Sequence, residues 1–458
     1  MRVLRASTAF FASLLALGLA REAVAIQQFL PQARLTASDA AAGDSFGSQV
    51  ALSSDGMTAL VGAPGDDCAV SPDCGAAYVF VLDHGAWIQQ AKLSIPNAAP
   101  GDRIAGMALS ADGDTVLIGA AHTDCSAGVD CGAAYVFARD GTVWTFQQKL
   151  TASDARANDY FGSQVALSGD GDIALVGAFK ADCGSFPFCG AVYAFTRSGG
   201  VWTEQQKLTG EPSPGSSFGS SLALSEDGDT ALVLGDYADI AFPGRVYVFV
   251  RSGGVWSLQE KLSSPYGSGS RFAADMDLSA DGDIALVEAT DFFPGANYGL
   301  SVVVVFSRTG ATWSRQTLLY GFHAGDNFGS SLDLSSDGQT AIIGTQFRGC
   351  APGFCGPAYI FSRNGGAWDL AQELTAPGEG RNYSLGPVAL SGDGRTAFLG
   401  VPDVPCVSGP ACGAVYAFTN APLAVGIPTV SEVGLALLAL ALAVYGASCL
   451  RRSRPRSA

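Results

Sequence analysis

Histidine is almost missing from this chain: His84, His122 and His323 are the only three in 458 residues. Charge is also sparse, at 15 % of residues, and cations are the scarcer sign, with 26 Lys and Arg against 42 Asp and Glu. Few histidines leave few ready proton carriers near neutral pH, and these three fall in unrelated loops, His84 in a strand-to-strand turn. No Gly-x-Ser-x-Gly elbow, His-Glu-x-x-His helix or phosphate-binding loop is present. The formal net charge of −16, with no run of Lys or Arg in the body of the chain, argues against nucleic acid or an anionic membrane surface as partner. A pair of carboxylates of glycosidase type remains open, and a solvated acidic surface explains the same residues.

What the chain does have is repetition. Asp-Gly pairs begin at Asp55, Asp112, Asp170, Asp227, Asp281, Asp337 and Asp393, at spacings of 57, 58, 57, 54, 56 and 56 residues. Each sits in a Ser-x-Asp-Gly turn between two apolar segments, followed by a Tyr-x-Phe-like segment and, in six units, a segment starting with Trp. All six tryptophans occupy that one place: Trp87, Trp144, Trp202, Trp256, Trp313 and Trp368. In the third unit, alternation and β-branched content predict strands over 161–167, 173–177, 191–196 and 201–208. A constant period with four short strands per unit indicates radial repetition. The seventh unit ends after Tyr416-Ala417-Phe418 without its Trp strand. The N-terminal stretch from Gln27-Gln28 to Leu35-Thr36-Ala37-Ser38-Asp39 matches Gln147-Gln148-Lys149-Leu150-Thr151-Ala152-Ser153-Asp154. The expected fold is therefore all-β: a seven-bladed propeller over residues 26–420, closed by the N-terminal strand, plus one C-terminal hydrophobic helix.

The units resemble FG-GAP repeats, the propeller repeats of integrin α subunits and many bacterial surface proteins. The residues that carry the likeness are Phe46-Gly47 with Gly62-Ala63-Pro64, Phe161-Gly162 with Gly177-Ala178, Phe218-Gly219, and Phe328-Gly329 with Gly344. Ile104-Ala105, Phe272-Ala273 and Leu385-Gly386 depart from it. The resemblance implies a propeller and no particular activity. Repeats of integrin type often bind calcium in the hairpin between the first two strands, through several oxygen ligands. Here the first ligand position is Ala51, Ala108, Ala166, Ala223 or Ala389; only blades 5 and 6 are fuller, with Asp277 and Asp281, and Asp333 and Asp337. The final Asp is replaced by Ala285 and Ala341. Calcium at these four residues is the one metal expectation, set against a plain Ser/Asp/Gly turn; no other cofactor is expected.

Ten of the eleven cysteines form close pairs at one repeat position, between the second and third strands: Cys68 with Cys74, Cys125 with Cys131, Cys183 with Cys189, Cys350 with Cys355, and Cys406 with Cys412. Recurrent local pairs in an exported chain read as disulfides.

Both ends carry targeting features. Arg2 and Arg5, the apolar stretch 8–20 and Ala23-Val24-Ala25 read as a signal peptide over residues 1–25. Residues 433–450 form an apolar run of roughly 27 Å as a helix, enough to span a bilayer. Residues 451–458 form an Arg-rich tail that the positive-inside rule keeps cytoplasmic. Residues 421–432 are linker and motif, with Ile427, Pro428, Thr429, Ser431 and Glu432 directly before the span. This order resembles the IPTL-CTERM sorting signal of Gram-negative bacteria, with Val430 and Val433 in place of its Leu and Trp. It implies processing by an exosortase-like membrane enzyme; a plain membrane anchor is the alternative.

In an antiparallel blade the loops between second and third strands emerge on the same side as the blade-to-blade loops. That side varies between units and carries the cysteines, acidic residues and the aromatics Phe186, Phe188, Phe242, Phe292, Phe293 and Phe354. Variable loops on a rigid scaffold commonly bind ligands; the alternative is that these rings plug the blade tops. The expected function is a non-enzymatic, exported cell-surface or matrix protein that binds a protein or glycan. The alternatives are a polysaccharide hydrolase or lyase, and a matrix protein without a discrete ligand.

Overall fold

Seven four-stranded antiparallel sheets make up the protein in this computed structural model. It describes residues 27–422 except 68–71, 184–185, 212–215, 236–243, 267–269, 292–299, 323–326, 347–355 and 379–384. The expected signal peptide, sorting motif and C-terminal helix lie outside these residues. Among the described residues no helix is long and apolar enough to cross a membrane.

The third blade shows the unit. Phe161–Leu167, Ile173–Ala178, Ala191–Ser198 and Val201–Leu208 pair in that order. Every residue from Ile173 to Ala178 is buried. A strand so apolar on both faces needs a sheet packed on each side, which neighbouring blades supply. The fourth strand lies at the rim, where exposed residues alternate with half-buried or buried ones, Trp202 and Leu208 being buried.

Each blade's first strand touches the first strand of the next, and that of the seventh touches that of the first, so the ring closes. The seventh sheet is completed by Gln27–Leu35, which pairs outside Ala414–Pro422. The expected Gln-Gln match shifts, however. Leu35 is buried as Leu150 is, and counting back from that anchor puts Gln32, not Gln27, in the place of Gln147. Gln32 Oε1 accepts a hydrogen bond from Trp87 Nε1 at 3.2 Å, as Gln147 Oε1 does from Trp202 Nε1 at 2.9 Å. In the third blade the register slips between Ala194 and Phe195, and the same slip recurs in blades 1, 2, 4, 5 and 6. Such a bulge blunts the outer edge against further pairing and re-aims side chains, here the glutamines that reach the next blade's Trp.

The Phe of each Phe-Gly pair is a core residue. Phe46, Phe161, Phe218 and Phe328 are fully buried and stand edge-on to Tyr78, Tyr193, Tyr247 and Tyr359, with ring centres 5.4–5.5 Å apart. Ile104, Phe272 and Leu385, where the pattern drifts, are buried too.

The Ser-x-Asp-Gly turns have a common wiring. In every blade the Ser hydroxyl donates to the Asp carboxylate, as Ser53 Oγ does to Asp55 at 2.6 Å, and accepts the amide five residues on, as from Thr58 at 2.9 Å. The turns then join each other across the channel. Amide hydrogen bonds run Ser54→Ala111→Gly169→Glu226, Asp227→Ala280→Ser336→Gly392 and Asp393→Ser54. This ring, with Glu226 Oε1 accepting from Ser54 Oγ at 2.8 Å and from Ser336 Oγ, closes the hairpin end of the central channel.

Candidate binding face

At the opposite end, the loops between second and third strands are built on one plan. Disulfides close Cys125–Cys131, Cys183–Cys189 and Cys406–Cys412, with Cα atoms 5.7–5.9 Å apart. Cys74 is also disulfide-bonded, and its expected partner Cys68 lies outside the described residues. The fifth expected bridge does not join this described set, because Cys350 and Cys355 both fall in the segment 347–355, which lies outside the described residues. An Asp just before the first Cys caps the amide six residues on: Asp67 to Asp73, Asp124 to Asp130, and Asp182 to Phe188. These first acidic residues of the loops therefore serve the scaffold.

The residue they cap is held at positive φ: Asp73 52°, Asp130 53°, Phe188 55°, with Ala411 at 53° in blade 7. Opposite it, on the next blade, the residue before the Phe-Gly position is also left-handed: Ser45, Arg103, Tyr160, Ser217 and Asn327. Left-handed backbone is costly for side chains of this size. At the four seams where both sides are described, the facing pairs are Asp73 with Arg103, Asp130 with Tyr160, Phe188 with Ser217, and Ala411 with Ser45, so the chemistry changes from seam to seam. Arg103 bonds Asp73 at 2.8 Å, and the Tyr160 amide donates to the Asp130 carbonyl at 3.1 Å.

Among the described residues, the seam between blades 2 and 3 carries the richest chemistry. Tyr160 meets Phe179 and His122 with ring centres 5.4 Å away in each case. The Lys180 ammonium lies 4.5 Å from the Tyr160 ring centre, a cation–π contact. His122 Nδ1 is 3.0 Å from Asp130, whose other oxygen accepts from the Tyr160 hydroxyl at 3.4 Å. Burial, then the Asp130 charge, pushes the Tyr160 hydroxyl above its ordinary range, so it stays a neutral donor.

Of the six aromatics expected on this face, Phe186 and Phe188 are 40 % and 53 % exposed. Phe242, Phe292, Phe293 and Phe354 lie outside the described residues. Sequence reasoning missed Tyr160, Phe179 and Lys180. The available signal was an aromatic before Phe-Gly, where other repeats place Ser45, Arg103, Ser217 or Asn327.

A charged recess of about 500 Å³ beside blade 3 holds Asp154, Arg156, Asp159, Asp182 and Lys207. Tyr193 and Lys207 both donate to Asp154, at 2.6 and 2.7 Å. Blade 1 repeats this with Tyr78, Lys92, Asp39 and Asp66, which marks the set as scaffold.

The central channel is a cavity of about 600 Å³ lined mainly by first strands, including Gln49, Met107, Gln164 and Met276, with Gln346 from just after the second strand of blade 6. Asp275, Asp277 and Asp333 also face it. Two of the four calcium candidates, Asp281 and Asp337, sit in the turns with Ser279 and Ser335 as partners. The other two, Asp277 and Asp333, lie along first strands with amide partners on the next blade. Among the described residues no group of three His, Cys, Asp or Glu is placed to hold a metal ion.

The closed ring of seven blades, with a uniform turn side and a variable, disulfide-stapled side, defines a seven-bladed β-propeller of extracellular type. Three stretches of its chain match the FG-GAP repeat family model: residues 29–80, 87–137 and 144–195. Each match starts at the same rim position, Phe29, Trp87 or Trp144. Residues 426–454 match the IPTL-CTERM motif, and the disulfides agree with export. No curated protein matches the chain. Among solved structures it is similar to Kuenenia stuttgartiensis hydrazine synthase, at 13 % identity and TM-score 0.52 over 79 % of this chain and 93 % of that one. It is also similar to the β-propeller domain of Myceliophteria thermophila Cps50 (Swd1), at 10 % identity and TM-score 0.53 over 85 % of this chain and 99 % of that one. At such identities the likeness is one of fold.

Proposed function

We propose that the protein is an exported, non-enzymatic binder, sorted through its C-terminal motif and displayed at the cell surface or in the surrounding matrix. Its loop face engages a protein or glycan. The observation that carries this reading is the His122–Tyr160–Phe179–Lys180 cluster, set on the variable side of an otherwise repetitive ring. Partly exposed rings flanked by hydrogen-bonding groups suit either partner class. The disulfides and the Asp caps hold the loops before binding, which lowers the ordering cost. An exosortase-like enzyme acts on the segment around Ile427, Pro428, Thr429, Ser431 and Glu432, so that the membrane span anchors the chain only transiently. No cofactor is invoked.

The test is an array of glycans and secreted proteins probed with the purified protein and with Tyr160→Ala, Lys180→Ala and Phe188→Ala. Saturable binding that weakens about tenfold or more in the first two variants, with unchanged melting, supports the reading. Turnover of a polysaccharide by the unmodified protein would replace it with a hydrolase or lyase. Mass spectrometry of the exported protein checks sorting: an intact Arg451-to-Ala458 tail removes that part.

A further inference from the structure

Four side chains tie the first strands of blades 5, 6 and 7 together. Asp275 accepts the Leu332 amide at 2.9 Å and Asp277 the Leu334 amide at 2.8 Å, joining blade 5 to blade 6. Ser331 accepts the Val388 amide at 3.0 Å and Asp333 the Leu390 amide at 2.8 Å, joining blade 6 to blade 7. Each bond spans 57 residues, one repeat and one residue. In the other blades the position of Asp277 and Asp333 is Ala51, Ala108, Ala166, Ala223 or Ala389, which has no side-chain acceptor. Asp277 and Asp333 also converge: Oδ2 of the first and Oδ1 of the second accept from one and the same Leu334 amide, each at 2.8 Å, which sets two buried carboxyl groups side by side. Two ionised carboxylates held this close and away from water repel each other, and an ionised carboxylate can only accept, so a proton on one of the two relieves the pair.

We propose that Asp277 and Asp333 form a proton-dependent latch: one shared proton holds the seams of blades 5, 6 and 7 shut, and its loss to solvent loosens them.

The surroundings favour the protonated latch. Glu226 approaches Asp333 from the floor, and Glu288, on the second strand of blade 5, faces Asp275. Arg271 is the cation near this group, and it acts on Glu288. Among the described residues, those lining the channel include no Lys, Arg or His. Burial, then the charge of Asp333, raises Asp277 well above the ordinary carboxyl range. Burial raises Asp333 as well, and pushes Asp275 up to about 7. Groups raised in this way stabilise the fold most at low pH, and the contribution is lost as pH rises through the folded-state value.

The test uses the full chain and Asp277→Asn, whose amide can donate to Asp333 at any pH while its carbonyl still accepts from Leu334. Between about pH 5 and about pH 9 the unmodified protein should melt at progressively lower temperature, and Asp277→Asn should flatten that slope and melt higher at the alkaline end. Parallel profiles, or a variant less stable at every pH, overturn the proposal. If the variant does not fold, amide exchange of the unmodified protein decides. Once corrected for intrinsic base catalysis, opening at Leu334 and Leu390 should rise by up to about tenfold per pH unit as pH climbs from the ordinary carboxyl range to the folded-state value and then level off, while Leu175 stays level throughout. Equal behaviour at all three amides overturns it.

Discussion

Gln372 and Phe29, 343 residues apart, hold each other by two hydrogen bonds: the Phe29 amide donates to Gln372 Oε1 at 2.8 Å, and Gln372 Nε2 donates to the Phe29 carbonyl at 2.8 Å. Gln148 clasps Trp202 and Gln206 clasps Trp256 in the same way. Phe29 is thus the seventh member of the tryptophan series, and the clasp joins the N-terminal strand to blade 6 as if it were continuous with blade 7. Gln372→Ala should cost about 1–3 kcal/mol, because it strands a backbone donor and acceptor. Phe29→Ala should cost about 3 kcal/mol through the cavity it leaves. Deleting residues 26–37 should lower the melting temperature far more than either. Denaturant titration of the three variants checks the order; a deletion that melts like the intact chain would mean the ring does not depend on this strand.

Two glycines of the same blade separate backbone need from backbone habit. Gly132 has φ of +83°, and a Cβ there would lie 2.0 Å from the Phe161 carbonyl oxygen of the next blade. Gly141, at +61° in an open turn, has nothing within 4 Å. Gly132→Ala must push two blades apart as well as bear the conformational cost of about 1–3 kcal/mol, whereas Gly141→Ala bears at most the latter. Thermal melting should therefore fall much further for Gly132→Ala. Equal losses would show that close approach at the seam contributes nothing.

The fold was legible because its period is written in turn residues. Seven Asp-Gly turns are needed by the backbone, and six tryptophans mark one rim position, so strand order follows without any knowledge of packing. The candidate face was legible only as a side. Phe186 and Phe188 could be placed on it from their loop, but Tyr160, Phe179 and His122 come from three separate segments that meet only across a seam. Asp277 and Asp333 show the other limit. Their spacing from Asp281 and Asp337 reads along the chain as a ligand pattern, yet their partners are amides one repeat further on, and no local reading predicts an acceptor that serves the next blade. The floor ring is hidden for the same reason: Ser54, Glu226 and Ser336 occupy the x of Ser-x-Asp-Gly, the one position of the turn that sequence comparison of repeats treats as free.

Disulfide removal should act on the loops and spare the ring. The Cys183–Cys189 bridge closes a six-residue separation, worth about 2 kcal/mol on the chain-entropy model. Within it the amides and carbonyls of Cys183 and Phe186 exchange two hydrogen bonds at 3.1 and 3.2 Å. In the double variant Cys183→Ser with Cys189→Ser, proteolysis should first cut this loop, and the remaining chain should keep its β-sheet signal. Loss of the whole sheet signal on the same timescale would show that the staple supports the blade.

The Asp154 network responds to acid in the sense opposite to the latch. Burial alone would raise Asp154, but the hydrogen bonds from Lys207 and Tyr193 outweigh it and hold the carboxyl below its ordinary value of 3.8. A depressed group stabilises the fold above its unfolded-state value, and that contribution disappears as pH falls through the folded-state value. Tyr193→Phe keeps the ring that packs on Phe161 at 5.5 Å and removes one donor to Asp154. It should cost about 1 kcal/mol at neutral pH, a modest figure because Asp154 is half exposed. Once the pH is well below the depressed folded-state value Asp154 is neutral in both proteins, so the gap between them should close. Urea titrations at neutral pH and at that acid limit measure it. A gap that stays constant would assign the loss to the buried hydroxyl itself rather than to its bond with a charged carboxylate.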